Sequence, residues 1–213
     1  MTDYVTADEV KNHLPDPAWG AKYDAILGDL VTRASRLIDT ETREKSGGYA
    51  VSADSTVYMD GTGTAELLLS MNPTVRFLAQ APTEIAISED GKIGAGDYTV
   101  LATTDFFALP YNAPDYGEPY RELVLDVRNG DHARWPAFPR SVRIEGRIGW
   151  SVTVPTEIKE AAIIQVVRWL KRAQQSFQDT GAIVELGQLR YTKELDPEVA
   201  RTVRAFALNK MTV

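Results

Sequence analysis

Apolar residues recur at Tyr23, Ile26, Leu27, Leu30, Val31, Ala34, Leu37 and Ile38, with Lys22, Asp29, Arg33 and Arg36 off that stripe. Steps of three and four are the spacing of an amphipathic helix, so the pattern predicts a first long helix ending near Arg43. A shorter helix over 6–14 precedes it. Thr6-Ala7-Asp8-Glu9 has the capping-box spacing, in which hydroxyl and carboxylate each satisfy a free backbone donor, and Pro15 stops the helix. SerGlyGly at 46–48 ends the helical pattern.

From Tyr49 to Val152 the period falls to two. STVYMD, TAELLLSM, VRFLAQ, TEIAISE, DYTVLA, FFALPY, RELVLDV and VRIEGRIGW read as short strands. Turn chemistry separates them: AspGlyThrGly at 60–63, read as a hairpin turn, AsnPro at 72–73, AspGly at 90–91 and ArgAsnGlyAsp at 128–131. Eight such strands predict a small antiparallel barrel or sandwich.

The helical period returns in VPTEIKEAAIIQVVRWLKRAQQSF, residues 154–177, with Pro155 where a helix tolerates it and Glu157 and Glu160 at its positive end. The middle of this helix is apolar nearly all round, from Ile158 through Ile163, Ile164, Val166 and Val167 to Leu170, and so needs cover on more than one side. A domain this small offers few helices to supply it. Part of the surface, Ile164 and Val167 in particular, is therefore expected to meet a neighbouring copy. Gly181 and Gly187 bracket GAIVELGQLRYT, a strand or extended arm, and Asp196-Pro197 caps a last helix carrying Val199, Val203 and Phe206. The expected fold class is α+β. A helical domain of two long helices plus shorter ones (1–48 and 154–213) is interrupted by an inserted β-rich domain (49–153), which is tolerated because the ends of such a block can lie close together.

Composition narrows the chemistry. The 213 residues include no Cys and two His, which removes disulfides, thiol catalysis and zinc or iron–sulfur clusters. No run approaches the ~20 apolar residues of a membrane helix, and MTDYVTADEV has neither the basic start nor the apolar core of a secretory signal. A cytoplasmic place of synthesis and assembly is expected. The net charge is −7, distributed unevenly: six Lys/Arg against nine Asp/Glu over 1–49, eight against fourteen over 50–153, nine against seven over 154–213. An acidic chain is poorly suited to grip nucleic acid, though it can surround DNA without holding it.

Candidate sites each meet a plainer reading. His13 lies near a helix end and His132 in the polar turn NGDHAR, which read as a helix-end charge and a solvated loop residue rather than as a catalytic pair. DGTGTAE lacks the spacing and the Lys of a phosphate loop, and GWSV does not complete a nucleophile elbow around Ser151. Asp126, Asn129 and Asp131 offer oxygens to a cation without the twelve-residue loop that ends in Glu. Trp135, Trp150, Tyr116 and Tyr120 are either an aromatic platform for a sugar or part of the β core. Arg168, Lys171 and Arg172 suit a helix C-terminus or an acidic partner surface. Arg190, Lys193, Arg201, Arg204 and Lys210 make the end of the chain basic, and residues 181–213 read as an attachment arm or as the closing element of the helical bundle.

The order of elements, VTADEVKNHL, then YDAILGDLVTRASRLIDTETR, a β insertion and the phrase RWPAFPRSVRIEGRIGWSVTVPTEIKEAAIIQVVRWLKRAQ, resembles the head-tail connector (adaptor) family of long-tailed bacteriophages. The specific part is glycine, an apolar stretch, VP, two residues, then I, K and A where the second long helix begins. The resemblance covers the whole chain in layout and residues 1–45 and about 140–178 in motif. It implies a virion structural protein without catalytic activity or cofactor: a ring, usually of twelve copies, beneath the portal protein, joined on its far side by a stopper or tail-completion protein, with the genome passing through the lumen. On the apolar surplus of the central helix and the basic character of its end and of the final segment, Ile164, Val167, Arg168, Lys171, Arg172, Arg190, Lys193, Arg201 and Arg204 are the residues expected at subunit or portal interfaces. The rival readings are another neck ring, a stopper or tail-completion protein, and a binding module whose β domain recognises a sugar or a protein.

Overall fold

A computed structural model describes residues 2–14, 23–44, 47–71, 76–91, 97–174, 180–183, 187–190 and 195–208. The fold is mixed α+β and divides into two compact units, Met1–Gly47 with Val154–Val213, and Gly48–Thr153.

Among its described residues the first unit contains four helices, α1 (Ala7–Lys11), α2 (Asp24–Thr42), α3 (Thr156–Gln174) and α4 (Pro197–Leu208), and an antiparallel pair of short strands, β8 (Thr180–Ile183) and β9 (Gly187–Arg190). The capping box of α1 is complete: the Glu9 amide donates to Thr6 Oγ1 at 3.2 Å, and Glu9 Oε2 accepts from the Thr6 amide at 2.8 Å. Leu27, Val31, Ala34 and Ile38 form the buried stripe of α2, spaced by four, three and four residues. Its polar buried residues are all bonded. Ser35 accepts from the Tyr4 amide and donates to the Val31 carbonyl, both at 3.0 Å, and Thr42 donates to the Ile38 carbonyl at 2.8 Å. Asp39 accepts from the Tyr4 hydroxyl and, at 3.2 Å each, from Arg36 and the Gly47 amide.

The over-apolar α3 touches α1, α2 and α4, so most of its circumference is covered inside one chain. Ile158, Ala161, Ala162, Ile163, Val166 and Leu170 are buried, while Ile164 and Val167 stay half-exposed. The expected surplus of apolar surface is thus reduced to those two positions and the partly exposed Trp169.

Among its described residues the second unit holds seven strands in two antiparallel sheets. One runs β1 (Ser55–Met59), β7 (Val142–Gly146), β3 (Glu84–Ile87), β4 (Thr99–Val100); the other runs β2 (Glu66–Leu68), β6 (Glu122–Leu125), β5 (Phe106–Leu109). Among the described residues the strands do not close into a barrel. AspGlyThrGly at 60–63 is not a hairpin turn: β1 pairs with β7 and β2 with β6, so this loop carries the chain from one sheet to the other. Among the described residues of VRFLAQ, Leu78 forms isolated bridges to Tyr120 and Ile148 and no regular strand is present. Alternation works as the period predicts. Val142, Ile144 and Gly146 point into the core and Arg143 and Glu145 away from it, with Ile85 opposite Ile144. Met59, Ile85, Ile87 and Ile144 of one sheet and Leu67, Leu123 and Leu125 of the other share one buried cluster around Trp135.

The segments that enter and leave this unit run side by side. The Val51 amide donates to the Ser151 carbonyl at 3.0 Å, and the Trp150 amide to the Gly48 carbonyl at 2.7 Å. Trp150 lies between Tyr49 and Phe77, with ring centroids 6.0 and 5.2 Å away. Gly149 allows the approach: its φ of +148° and the crowding of Val51 and Gly48 leave no room for a side chain.

Candidate assembly interface

Packing α2, α3 and α4 against one another leaves a groove along their exposed side. Leu37 of α2, Trp169 of α3 and Ala200 of α4 give it an apolar lining, and Arg33, Arg36, Arg172, Arg201 and Arg204 make it basic against one carboxylate, Glu41. The arginines differ in their ties. Arg33 stacks over Trp169, and Arg36 pairs with Asp39 at 3.2 Å and donates to the Thr2 carbonyl at 2.7 Å. Arg201 and Arg204, one turn apart on α4, are exposed and make no ion pair with any described residue.

Of the residues expected at an interface, Arg172, Arg201 and Arg204 come together in this groove. Lys171 is exposed. Arg168 is turned inward: its Nη1 meets Asp196 Oδ2 at 3.3 Å with the Arg side chain 13% exposed, while Asp196 also caps α4 by accepting from the Glu198 amide at 3.0 Å. Gln165, buried in α3, accepts from the Asp196 amide at 3.3 Å, so the start of α4 is fixed to α3 at two points. Arg190 has its backbone in β9. The side chain of Arg190, together with Lys193 and Lys210, lies outside the described residues. Arg33, Trp169 and Glu41 are groove residues that the sequence reading did not single out. The available signal was the Arg33–Arg36 pair on the polar side of α2, but a groove made by three helices has no signature in any one of them.

The remaining candidates are also placed. Trp135 is 0% and Trp150 4% exposed, and the Trp135 indole donates to the Ala65 carbonyl at 2.9 Å, so neither presents a face to a sugar. The Asp126 carboxylate accepts from the Arg128 and Asn129 amides and from Asn129 Nδ2 at 2.8 Å, which holds it below the ordinary carboxylate range, the Asn129 side chain contributing most. Among the described residues no three His, Asp or Glu side chains converge on one point. Ser151 donates to the Tyr49 carbonyl at 3.1 Å as part of the strand-end pairing. His132 Nδ1 is 3.3 Å from Glu89, and His13 Nδ1 is 2.9 Å from the Glu9 carbonyl. A second surface is the loop between β5 and β6, where Tyr111 and Tyr116 stand 73% and 81% exposed beside Asp115 and Glu118. Among the described residues no helix is long and apolar enough to cross a membrane.

The fold thus combines a helical unit that is discontinuous in sequence with an antiparallel β unit inserted between its two parts. The chain is similar to a solved chain from the neck of an empty GTA particle computed with C6 symmetry, with 14% identity, 95% of this chain and 89% of that chain covered, and a TM-score of 0.51. It is also similar to a chain from the neck of a native GTA particle computed with C12 symmetry, with 15% identity, 97% and 94% covered, and a TM-score of 0.47. Both neighbours come from the neck of a GTA particle. No protein-family model matches the chain, and no curated protein sequence does.

Proposed function

We propose that this chain is a subunit of a head-tail connector ring, a structural part of a phage-type neck, in which the helical unit forms the ring. The observation that carries this reading is a shared fold that spans nearly all of both chains, this one and one from a particle neck. Twelve copies sit beneath the portal protein and above a stopper or tail-completion protein, with the half-exposed Ile164 and Val167 at a contact and DNA crossing the lumen without specific binding. An acidic chain supports the last point, since like charge keeps a passing polyanion from sticking. Assembly takes place in the host cytoplasm, and the mature location is the virion neck.

The test is deletion of the coding sequence in a particle-producing strain, followed by electron microscopy and labelling of a tagged copy in complemented particles. Filled heads that fail to join tails, with the tag at the head-tail junction, are expected. Intact tailed particles without the protein, or a tag on the shell or tail tip, overturn the reading.

A further inference from the structure

Two surfaces of this chain complement one another in charge and in shape of side chain. The groove on the helical unit sets five arginines against one glutamate over an apolar lining that includes Trp169. The β5–β6 loop leans the other way: residues 93–120 contain no Lys or Arg, and Asp115 and Glu118 flank the exposed Tyr116, Glu118 also pairing with Arg121 at 3.3 Å. The carboxylates are three residues apart on the loop, as Arg201 and Arg204 are on α4. Arginine and tyrosine are the residues that most often carry binding energy at interfaces, through bidentate pairing and stacking.

The loop is built to dock without rearrangement. Its 3₁₀ turn, Ala113–Tyr116, is closed by the Asp115 amide on the Asn112 carbonyl at 3.1 Å and the Glu118 amide on the Ala113 carbonyl at 2.9 Å. A loop already held by its own backbone loses little freedom on binding. Two different surfaces meeting head to tail also make a heterologous contact, the type that closes copies into rings rather than pairing them into dimers. We propose that the Tyr111–Tyr120 loop of one copy docks in the α2–α3–α4 groove of the next. This rests on the ring reading above. A protein occupant fits the groove better than a nucleic acid: Glu41 lies within it, and the lining between the arginines is apolar.

The experiment is a charge swap in the full-length chain, followed by incorporation into particles. Arg201→Glu with Arg204→Glu, and separately Asp115→Arg with Glu118→Arg, should each lower incorporation at least tenfold. All four changes in one chain should restore it to within about threefold of wild type. Thermal unfolding of each variant within a few degrees of wild type separates lost docking from lost folding. If a reversed variant melts early, the neutral pairs Arg201→Gln with Arg204→Gln and Asp115→Asn with Glu118→Gln replace the reversals and must lower incorporation too. Normal incorporation of either reversed variant overturns the proposal and leaves the neck reading standing. Loss by the arginine variant without recovery in the fourfold variant assigns the groove to a different acidic protein, and arginine-dependent retardation of duplex DNA assigns it to nucleic acid. Both outcomes overturn the proposal. Absence of the wild-type chain from particles overturns the neck reading itself.

Discussion

The guanidinium of Arg33 lies over the indole of Trp169, its carbon 4.8 Å from the ring centroid, and so joins α2 to α3 across the groove. The stack has two effects. It holds the indole flat against the groove, and it removes part of the hydration shell from a cation that would otherwise extend into solvent. Arg33→Gln should lower stability by about 0.5–1 kcal/mol. In a double-mutant cycle with Trp169→Leu, a coupling of the same size is expected, because the two single changes remove one shared contact. Chemical denaturation with the four chains of the cycle measures it, and additive effects would show that the stacking contributes nothing.

Two carboxylates should move stability in opposite directions with pH. Glu9 is held below the ordinary carboxylate range, first by its bond to Lys159 and then by the Thr6 amide. Its contribution is present above the unfolded-state value of ~4.3 and is lost as pH falls through the folded value. Burial holds Asp39 above the ordinary range, against the opposing pull of the Tyr4 hydroxyl and Arg36. Its contribution is full below the unfolded value of ~3.9 and is lost as pH rises through the folded one. Urea unfolding between pH 3 and 7 should therefore show a shallower acid limb for Glu9→Gln and a steeper one for Asp39→Asn. The same slope in all three chains would refute both assignments.

The elements that were legible in the sequence are those whose causes are local. The capping box at Thr6 and Glu9, the α2 stripe from Leu27 to Ile38 and the alternation from Val142 to Gly146 all depend on neighbours a few residues away, and the structure has each of them. Pairing partners are not local. Val57 lies opposite Ile144, although the turn-like AspGlyThrGly suggests a partner just beyond Gly63. Gly61 has a different purpose there: a Cβ on it would fall 1.8 Å from the Pro136 carbonyl oxygen, so the glycine admits a distant backbone rather than a tight turn. The groove was illegible for the same reason. Arg33, Trp169 and Arg201 belong to three helices and meet only once those helices have packed.

Gly149 should be among the least replaceable residues of the β unit. A Cβ there would stand 2.6 Å from Val51 Cγ2 and 2.7 Å from the Gly48 carbonyl, at a φ of +148° that disfavours any side chain. Gly149→Ala should cost about 2–4 kcal/mol, the sum of backbone strain and overpacking. Near-ultraviolet circular dichroism should register the disturbance through Trp150, whose amide is bonded to Gly48. A melting temperature unchanged from wild type would mean that the pairing of the two ends is looser than this geometry requires.

Neighbouring positions on α3 should separate folding from assembly. Val166 is 0% exposed, whereas Val167 and Ile164 are half-exposed on the same helix. Val166→Asp places a carboxylate in the packed core with nothing to neutralise it, at a cost of several kcal/mol, enough to unfold a domain of ordinary stability. Val167→Asp and Ile164→Asp leave the new charge within reach of water in the free chain, so they should fold with at most a modest loss. In the ring the same charge would be trapped against a neighbour, and removing it from water there has no compensating partner. The expected pattern is an unfolded Val166→Asp chain beside folded Val167→Asp and Ile164→Asp chains that fail to enter particles, measured by circular dichroism and by particle composition. Folded variants that enter particles normally would place both residues on open surface and remove them from the interface.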